Sequence, residues 1–184
     1  MIRLTTPRLL IRDHRLDDLQ THHELLSNSK VMWYLNDIMT HNIEQSRENL
    51  IQSIEQIDIP QRKYYFLRIE NGITNEHIGE IGYTVTNFTP LGKLVGVGYF
   101  IRDQYWNLGY TTEALREIIR FAFKENDVYR ISCGCLKENV ASERIMQKCG
   151  LIKEADFKQY QWHDGRLKDR VEYRLLRSEW LENH

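Results

Sequence analysis

The chain has 184 residues, with 25 Lys and Arg against 26 Asp and Glu and a formal net charge of −1. That near-neutral composition carries no basic footprint for nucleic acid, no apolar run reaches membrane-spanning length, and the N-terminus lacks the apolar core of a signal peptide. A single soluble, cytoplasmic α/β domain over residues 1–184 is expected, long enough to bury a sizeable core.

Residues 8–13 read as a first strand, and a helix from near Asp17 to Leu26 carries Leu19, Leu25 and Leu26. Ser27-Asn28-Ser29 breaks it. The apolar run 31–35 reads as core packing, with lining of an acceptor cleft as the rival. Thr40 is expected to cap a helix over about residues 41–55, with Ile43, Leu50, Ile51 and Ile54 inward and Pro60 beyond its end. Residues 64–70, 77–85 and 94–101 read as three strands in an antiparallel meander, joined by turns at Asn71-Gly72 and Pro90-Leu91-Gly92. His14, His22, His23 and His77 fall in this half. His22 and His23 face different ways on a helix and no His-Glu-x-x-His occurs, so these read as surface or cleft residues and no metal site is expected.

Next comes Gln104-Tyr105-Trp106-Asn107-Leu108-Gly109-Tyr110-Thr111-Thr112-Glu113-Ala114. It follows a β-branched and aromatic strand that ends in Tyr99-Phe100-Ile101. It opens a helix whose apolar Leu115, Ile118, Ile119 and Ala122 recur at helical spacing, with Glu113, Arg116, Glu117 and Arg120 on the wet face. A strand, a Gly-containing turn and a helix N-terminus together form an anion site, because the first N–H groups of the helix lack helical partners and the dipole stands behind them. The structural alternative is an ordinary corner in which Gly109 relieves strain. Dinucleotide and P-loop folds are disfavoured: Gly96-Val97-Gly98 lacks a third glycine at Ile101, and no Gly-Lys-Ser or Gly-Lys-Thr occurs.

About 30 residues on lies a second strand–turn–helix unit. Residues 130–136 read as its strand, Asn139 as its cap, Ser142 as a first-turn residue and Gly150 as its stop. The three cysteines are an odd number. Cys133 and Cys135 share a strand face and read as buried thiols, not as a disulfide or zinc site. Tyr160, Trp162, His163 and Asp164-Gly165 read as a hairpin tip between the last two strands.

With Thr6-Pro7-Arg8-Leu9-Leu10-Ile11-Arg12, the 104–114 turn, the Asn139…Ser142…Gly150 segment and the closing Val171-Glu172-Tyr173-Arg174-Leu175-Leu176, the chain resembles the GNAT N-acetyltransferases over nearly its whole length. Within them it resembles the type that acetylates ribosomal-protein N-termini. The resemblance implies a mixed, mostly antiparallel sheet with helices on both faces. It implies acetyl-CoA as cosubstrate, no metal, an amine as acceptor, and a monomer or homodimer. Tyr99, Phe100, Ile101, Gln104, Asn107, Leu108, Gly109, Tyr110, Thr111, Thr112, Asn139 and Ser142 are then the expected CoA contacts. Two positions depart from the family pattern. Asn107 stands where a first Gly is usual, and Met146 replaces a Tyr that serves many relatives as general acid.

Ser142 is the implied donor to the CoA sulfur, and Glu80 the candidate base, with Asp37 and His41 as rivals. A backbone N–H from residues 97–101 is the candidate oxyanion donor. No His is placed to activate a cysteine, so direct attack in a ternary complex is expected. Two other readings stay open: a catalytically weak acyl-CoA-binding module, and an enzyme for small amines such as polyamines or antibiotics.

Overall fold

A computed structural model describes residues 1–182. Its strands are β1 (Arg3–Thr5), β2 (Leu9–Asp13), β3 (Tyr64–Asn71), β4 (His77–Thr89), β5 (Gly92–Ile101), β6 (Val128–Leu136), β7 (Ile152–His163) and β8 (Arg166–Leu176). Its helices are α1 (Leu19–Leu26), α2 (Ile43–Glu55), α3 (Tyr110–Lys124), α4 (Val140–Lys148) and α5 (Arg177–Leu181). The strands hydrogen-bond in the order β1-β2-β3-β4-β5-β6-β8-β7. β5 and β6 run parallel, whereas β1–β2, β2–β3, β3–β4, β6–β8 and β7–β8 are antiparallel. This is the mixed, mostly antiparallel sheet with helices that the sequence implied. Among the described residues no helix is long and apolar enough to cross a membrane.

By internal contacts the chain falls into two units, Met1–Thr84 with Gly98–Ile118, and Val85–Val97 with the residues from 119 onward. In the first unit all five residues of β2 are buried. Ile11, Leu67, Ile69 and Ile78 are fully enclosed, each burial contributing about 1.5–3 kcal/mol. Beside this apolar core lies a polar layer. Arg12 donates to both oxygens of Asp18 at 2.8 Å and to Glu70 at 2.6 Å, and Arg68 donates to Glu70 at 2.7 Å. Buried charges persist only when paired and hydrogen-bonded in this way.

Several boundaries differ from expectation. β1 carries only three residues, Arg3–Thr5, too few for their polar–apolar alternation to register as a strand. α2 begins at Ile43 because Asn42, not Thr40, caps it by accepting the Gln45 N–H at 2.9 Å. Thr40 is instead buried and bonded to the Ser46 hydroxyl at 2.7 Å. The helix therefore turns Ser46, Leu50 and Ser53 inward and leaves Ile51 exposed.

In the second unit β7 and β8 form a long hairpin whose tip, Asp164-Gly165, takes φ of 48° and 73°, the mirror-image turn that suits twisted strands. The expected tip thus holds at Asp164-Gly165, but Tyr160, Trp162 and His163 lie within β7. Asn139 caps α4. Cys133, Cys135 and Cys149 are all buried thiols outside any disulfide.

Candidate active site

The turn between β5 and α3 is built from three local features. A short 3-10 turn at Asp103–Tyr105 follows β5. The Trp106 indole then donates to the Ile101 carbonyl at 3.0 Å, folding the chain back. Asn107 and Gly109 take left-handed φ of 63° and 80°, a region that costs most L residues about 1–2 kcal/mol and that Gly and Asn tolerate. Asn at the position of the usual Gly thus still forms the turn. Residues 106–109 are exposed, and α3 starts at Tyr110. The first N–H groups of a 15-residue helix open next to them, the arrangement that attracts an anion.

An N-terminal segment holds this turn. Arg8 donates from Nε to Glu113 at 2.6 Å, from its backbone N–H to Glu113 at 3.0 Å, and from Nη1 to the Leu108 carbonyl at 3.0 Å. Thr6 donates its hydroxyl to Glu113 at 2.6 Å. The Arg8 guanidinium also lies 4.3 Å from the Tyr110 ring centroid. Sequence reasoning placed Glu113 on the wet face and gave Arg8 no role. The Thr6-Pro7-Arg8 stretch was the available signal, but the contact spans more than 100 positions.

The parallel register of β5 with β6 runs from Lys93 to Gly96, so Tyr99, Phe100 and Ile101 lie beyond it. A Cβ built on Gly98 would meet nothing within 4 Å. That leaves room above the strand at Gly98 for a ligand to approach the backbone closely. Phe100 packs on Leu25, Leu26, Val31 and Met32. The 31–35 run is therefore core at Val31 and Met32, while Trp33 is 44% exposed.

Glu80, the candidate base, lies in β4. It is 5% exposed, with Oε1 2.6 Å from His22 Nδ1 of α1 and Oε2 3.7 Å from His14 Nε2. His14, His22 and His77, expected at the surface or in a cleft, are all buried around it. For His22, an amphipathic-helix reading could not foresee the carboxylate that β4 brings beside it. Burial pushes the Glu80 carboxyl up, but the charges of His22 and His14 and the His22 hydrogen bond outweigh it and hold it well below the usual carboxylate range. His22 is pushed down by burial and up by Glu80, and the second effect wins. Burial holds His77 near 4.

Ligand atoms of His14, His22 and Glu80 lie within 4.8 Å of one another. The His22–Glu80 contact is nevertheless a hydrogen bond. Two ligand atoms about 2.1 Å from one tetrahedral ion stand about 3.4 Å apart. Arg12, Arg62 and Arg68 pair with Asp18, Asp13 and Glu70, leaving the histidines as the partners of Glu80, with His22 its hydrogen-bond partner. As placed, both nitrogens of that ring face oxygen acceptors, Glu80 and Asn49, the pattern of an imidazolium. Asp37 and His41, the rival bases, are exposed in the loop between α1 and α2.

In the second unit Asn139 accepts the Ser142 N–H at 3.2 Å, which fixes Ser142 in the first turn of α4. Met146 is fully buried and packs as a core residue. Burial pushes the Cys135 thiol up to about 11, far from the thiolate that nucleophilic catalysis requires.

Residues 8–152 match the family described as Acetyltransferase (GNAT) domain. The chain belongs to the GNAT acetyltransferase family. It is 29% identical over 180 residues to the Uncharacterized N-acetyltransferase YnaD of Bacillus subtilis (strain 168), covering 96% of this chain and 98% of that one. Its fold is similar to RimL, a ribosomal L7/L12 alpha-N-protein acetyltransferase in complex with coenzyme A, at a TM-score of 0.84 and 17% identity over 95% of this chain and 98% of that one. It is equally similar to the spermidine N-acetyltransferase of Vibrio cholerae in complex with CoA and spermine, at a TM-score of 0.83 and 17% identity over 96% and 99% of the two chains. The protein is thus a GNAT-family N-acetyltransferase, an acyltransferase whose family uses acetyl-CoA and acts on amines.

Proposed function

We propose that this protein transfers the acetyl group of acetyl-CoA to the α-amine at a polypeptide N-terminus, by direct attack in a ternary complex. The observation that carries the cofactor part is the left-handed Asn107–Gly109 turn opening α3, where the CoA pyrophosphate binds with Gln104, Leu108, Tyr110, Thr111 and Thr112 around it. The pantetheine arm runs along Tyr99, Phe100 and Ile101, past the β5–β6 register, and a backbone N–H there stabilises the oxyanion. Asn139 and Ser142 are assigned to the pantetheine arm and the CoA sulfur by the family resemblance.

In the reaction the amine nitrogen bonds to the acetyl carbon as the carbon–sulfur bond breaks. The sulfur leaves as thiolate, accepts a hydrogen bond from the Ser142 hydroxyl and takes its proton from water, which is restored by the proton the amine releases. The amine gives up its proton to water. An α-amine has a pKa of about 8, so a useful fraction is neutral near pH 7.5 and no strong base is needed. Glu80, already committed to His22, therefore anchors α1 beneath the acceptor loop instead of taking the amine proton.

The loop between α1 and α2 supports a peptide acceptor. Its charges are Lys30, Asp37 and the titratable His41, with Trp33 and Ile38 exposed. A polycationic amine calls for an acidic lining, which this loop lacks. An amine panel with acetyl-CoA tests the assignment. Peptides with free N-termini should exceed spermidine and aminoglycosides in kcat/KM by at least about tenfold, a difference of about 1.4 kcal/mol. A preference for spermidine would overturn the peptide assignment.

A further inference from the structure

An acidic residue in the first turn of a helix ordinarily faces its own N-terminus, where it complements the dipole and satisfies N–H groups. Glu113 holds that place in α3 and does otherwise. Its carboxylate accepts from the Thr6 hydroxyl, the Arg8 backbone N–H and Arg8 Nε at 2.6, 3.0 and 2.6 Å. Arg8 reaches on to the Leu108 carbonyl and covers Tyr110. The Arg8 side chain is 46% exposed, and a pair that exposed adds little to global stability. Five contacts nevertheless converge on one turn.

We propose that the Thr6–Arg8 segment is a strap that neutralises Glu113 and draws it away from the anion site, making Arg8 a positioning residue for the CoA pyrophosphate. The proposal rests on the reading that the pyrophosphate occupies the Asn107–Gly109 turn. Without the strap, a free carboxylate in the first turn of α3 competes for the same N–H groups and repels phosphate across a few ångströms. The strap also fixes the Leu108 carbonyl between the two left-handed residues, so the turn is formed before the ligand arrives.

Calorimetric titration of acetyl-CoA into five proteins tests this: wild type, Arg8→Ala, Arg8→Lys, Arg8→Ala/Glu113→Gln and Gly109→Val, each checked for its melting temperature. Arg8→Ala should weaken binding at least tenfold, raising KM more than it lowers kcat. Arg8→Lys, which keeps the charge but not the fork, should fall between it and wild type. The double variant should regain at least a third of the loss on a logarithmic scale, because the harmful charge is gone. A purely structural strap gives no such rescue, so a double variant as weak as Arg8→Ala overturns the proposal. So does unchanged binding in Arg8→Ala while Gly109→Val binds poorly. If Gly109→Val also binds normally, the pyrophosphate reading itself fails and the strap with it.

Discussion

Arg8 grips Glu113 across 105 positions of sequence, through both its backbone N–H and its guanidinium. Burial pushes the Glu113 carboxyl up, and the hydrogen bonds from Thr6 and Arg8 outweigh it, so the group is held below the ordinary carboxylate range. It therefore stays ionised, and paired, across neutral pH. The turn that opens α3 is set as much by the start of the chain as by its own residues.

The strain in that turn is concentrated at Asn107, with φ of 63°. Asn107→Val should cost about 1–2 kcal/mol of stability, and Asn107→Gly markedly less, because Val cannot take the left-handed region cheaply. Chemical denaturation of the two variants beside wild type measures the difference. Equal stabilities would mean that the turn is not left-handed at this position.

Breaking the buried His22–Glu80 pair from one side should be severe. Glu80→Gln leaves His22 without its counter-ion and should destabilise the protein by about 3–5 kcal/mol. The sign of the pH dependence follows from both shifts. Glu80 is depressed from 4.5 to about 2, so its contribution is present above 4.5 and is lost as pH falls toward 2. His22 is raised from 6.5, so its contribution is present below 6.5 and is lost as pH climbs through the raised value. The gap between wild type and variant should thus be widest between about pH 4.5 and 6.5 and shrink on either side. A gap that is flat from pH 4 to 9 would show that the pair is not ionic.

Much of this architecture was legible because local and global preferences agree. β-branched and aromatic runs became β5 and β6, Asn139 and Gly150 bounded α4, and the Gly109 turn fell where the helix period begins. What was not legible depends on long-range pairing. Arg8 finds Glu113, and His14 and His22 reach Glu80, only once the strands are in register. His22 was misread because a polar residue on a helix gives no periodic sign of a carboxylate brought beside it by a distant strand. Thr40 and Asn42 are both competent caps, and the choice between them was made by the Thr40–Ser46 hydrogen bond.

For the second unit the expected effects separate stability from chemistry. Asn139→Ala should cost about 1 kcal/mol through the lost cap and weaken CoA as well. Ser142→Ala should lower kcat by about tenfold to a hundredfold, the range for losing a positioned proton donor, without abolishing turnover, since water protonates a thiolate. Melting temperature and kcat measured on the same two proteins decide the matter. A fall in melting temperature with kcat intact would leave both residues as helix-start residues only.

Initial rates with both substrates varied should give intersecting double-reciprocal lines, and the isolated protein incubated with acetyl-CoA should gain no acetyl mass. The buried, high-pKa Cys135 and the equally buried Cys133 and Cys149 make a thioester intermediate unfavourable. Parallel lines together with one added acetyl group would establish a covalent route.

The most direct measurement is the affinity of acetyl-CoA for wild type and for Gly109→Val, whose φ of 80° no β-branched residue takes without strain. If the turn at Asn107–Gly109 cradles the pyrophosphate, the dissociation constant should rise at least tenfold, about 1.4 kcal/mol, in a protein whose circular dichroism is unchanged. A folded Gly109→Val protein that binds acetyl-CoA as tightly as wild type would contradict the account.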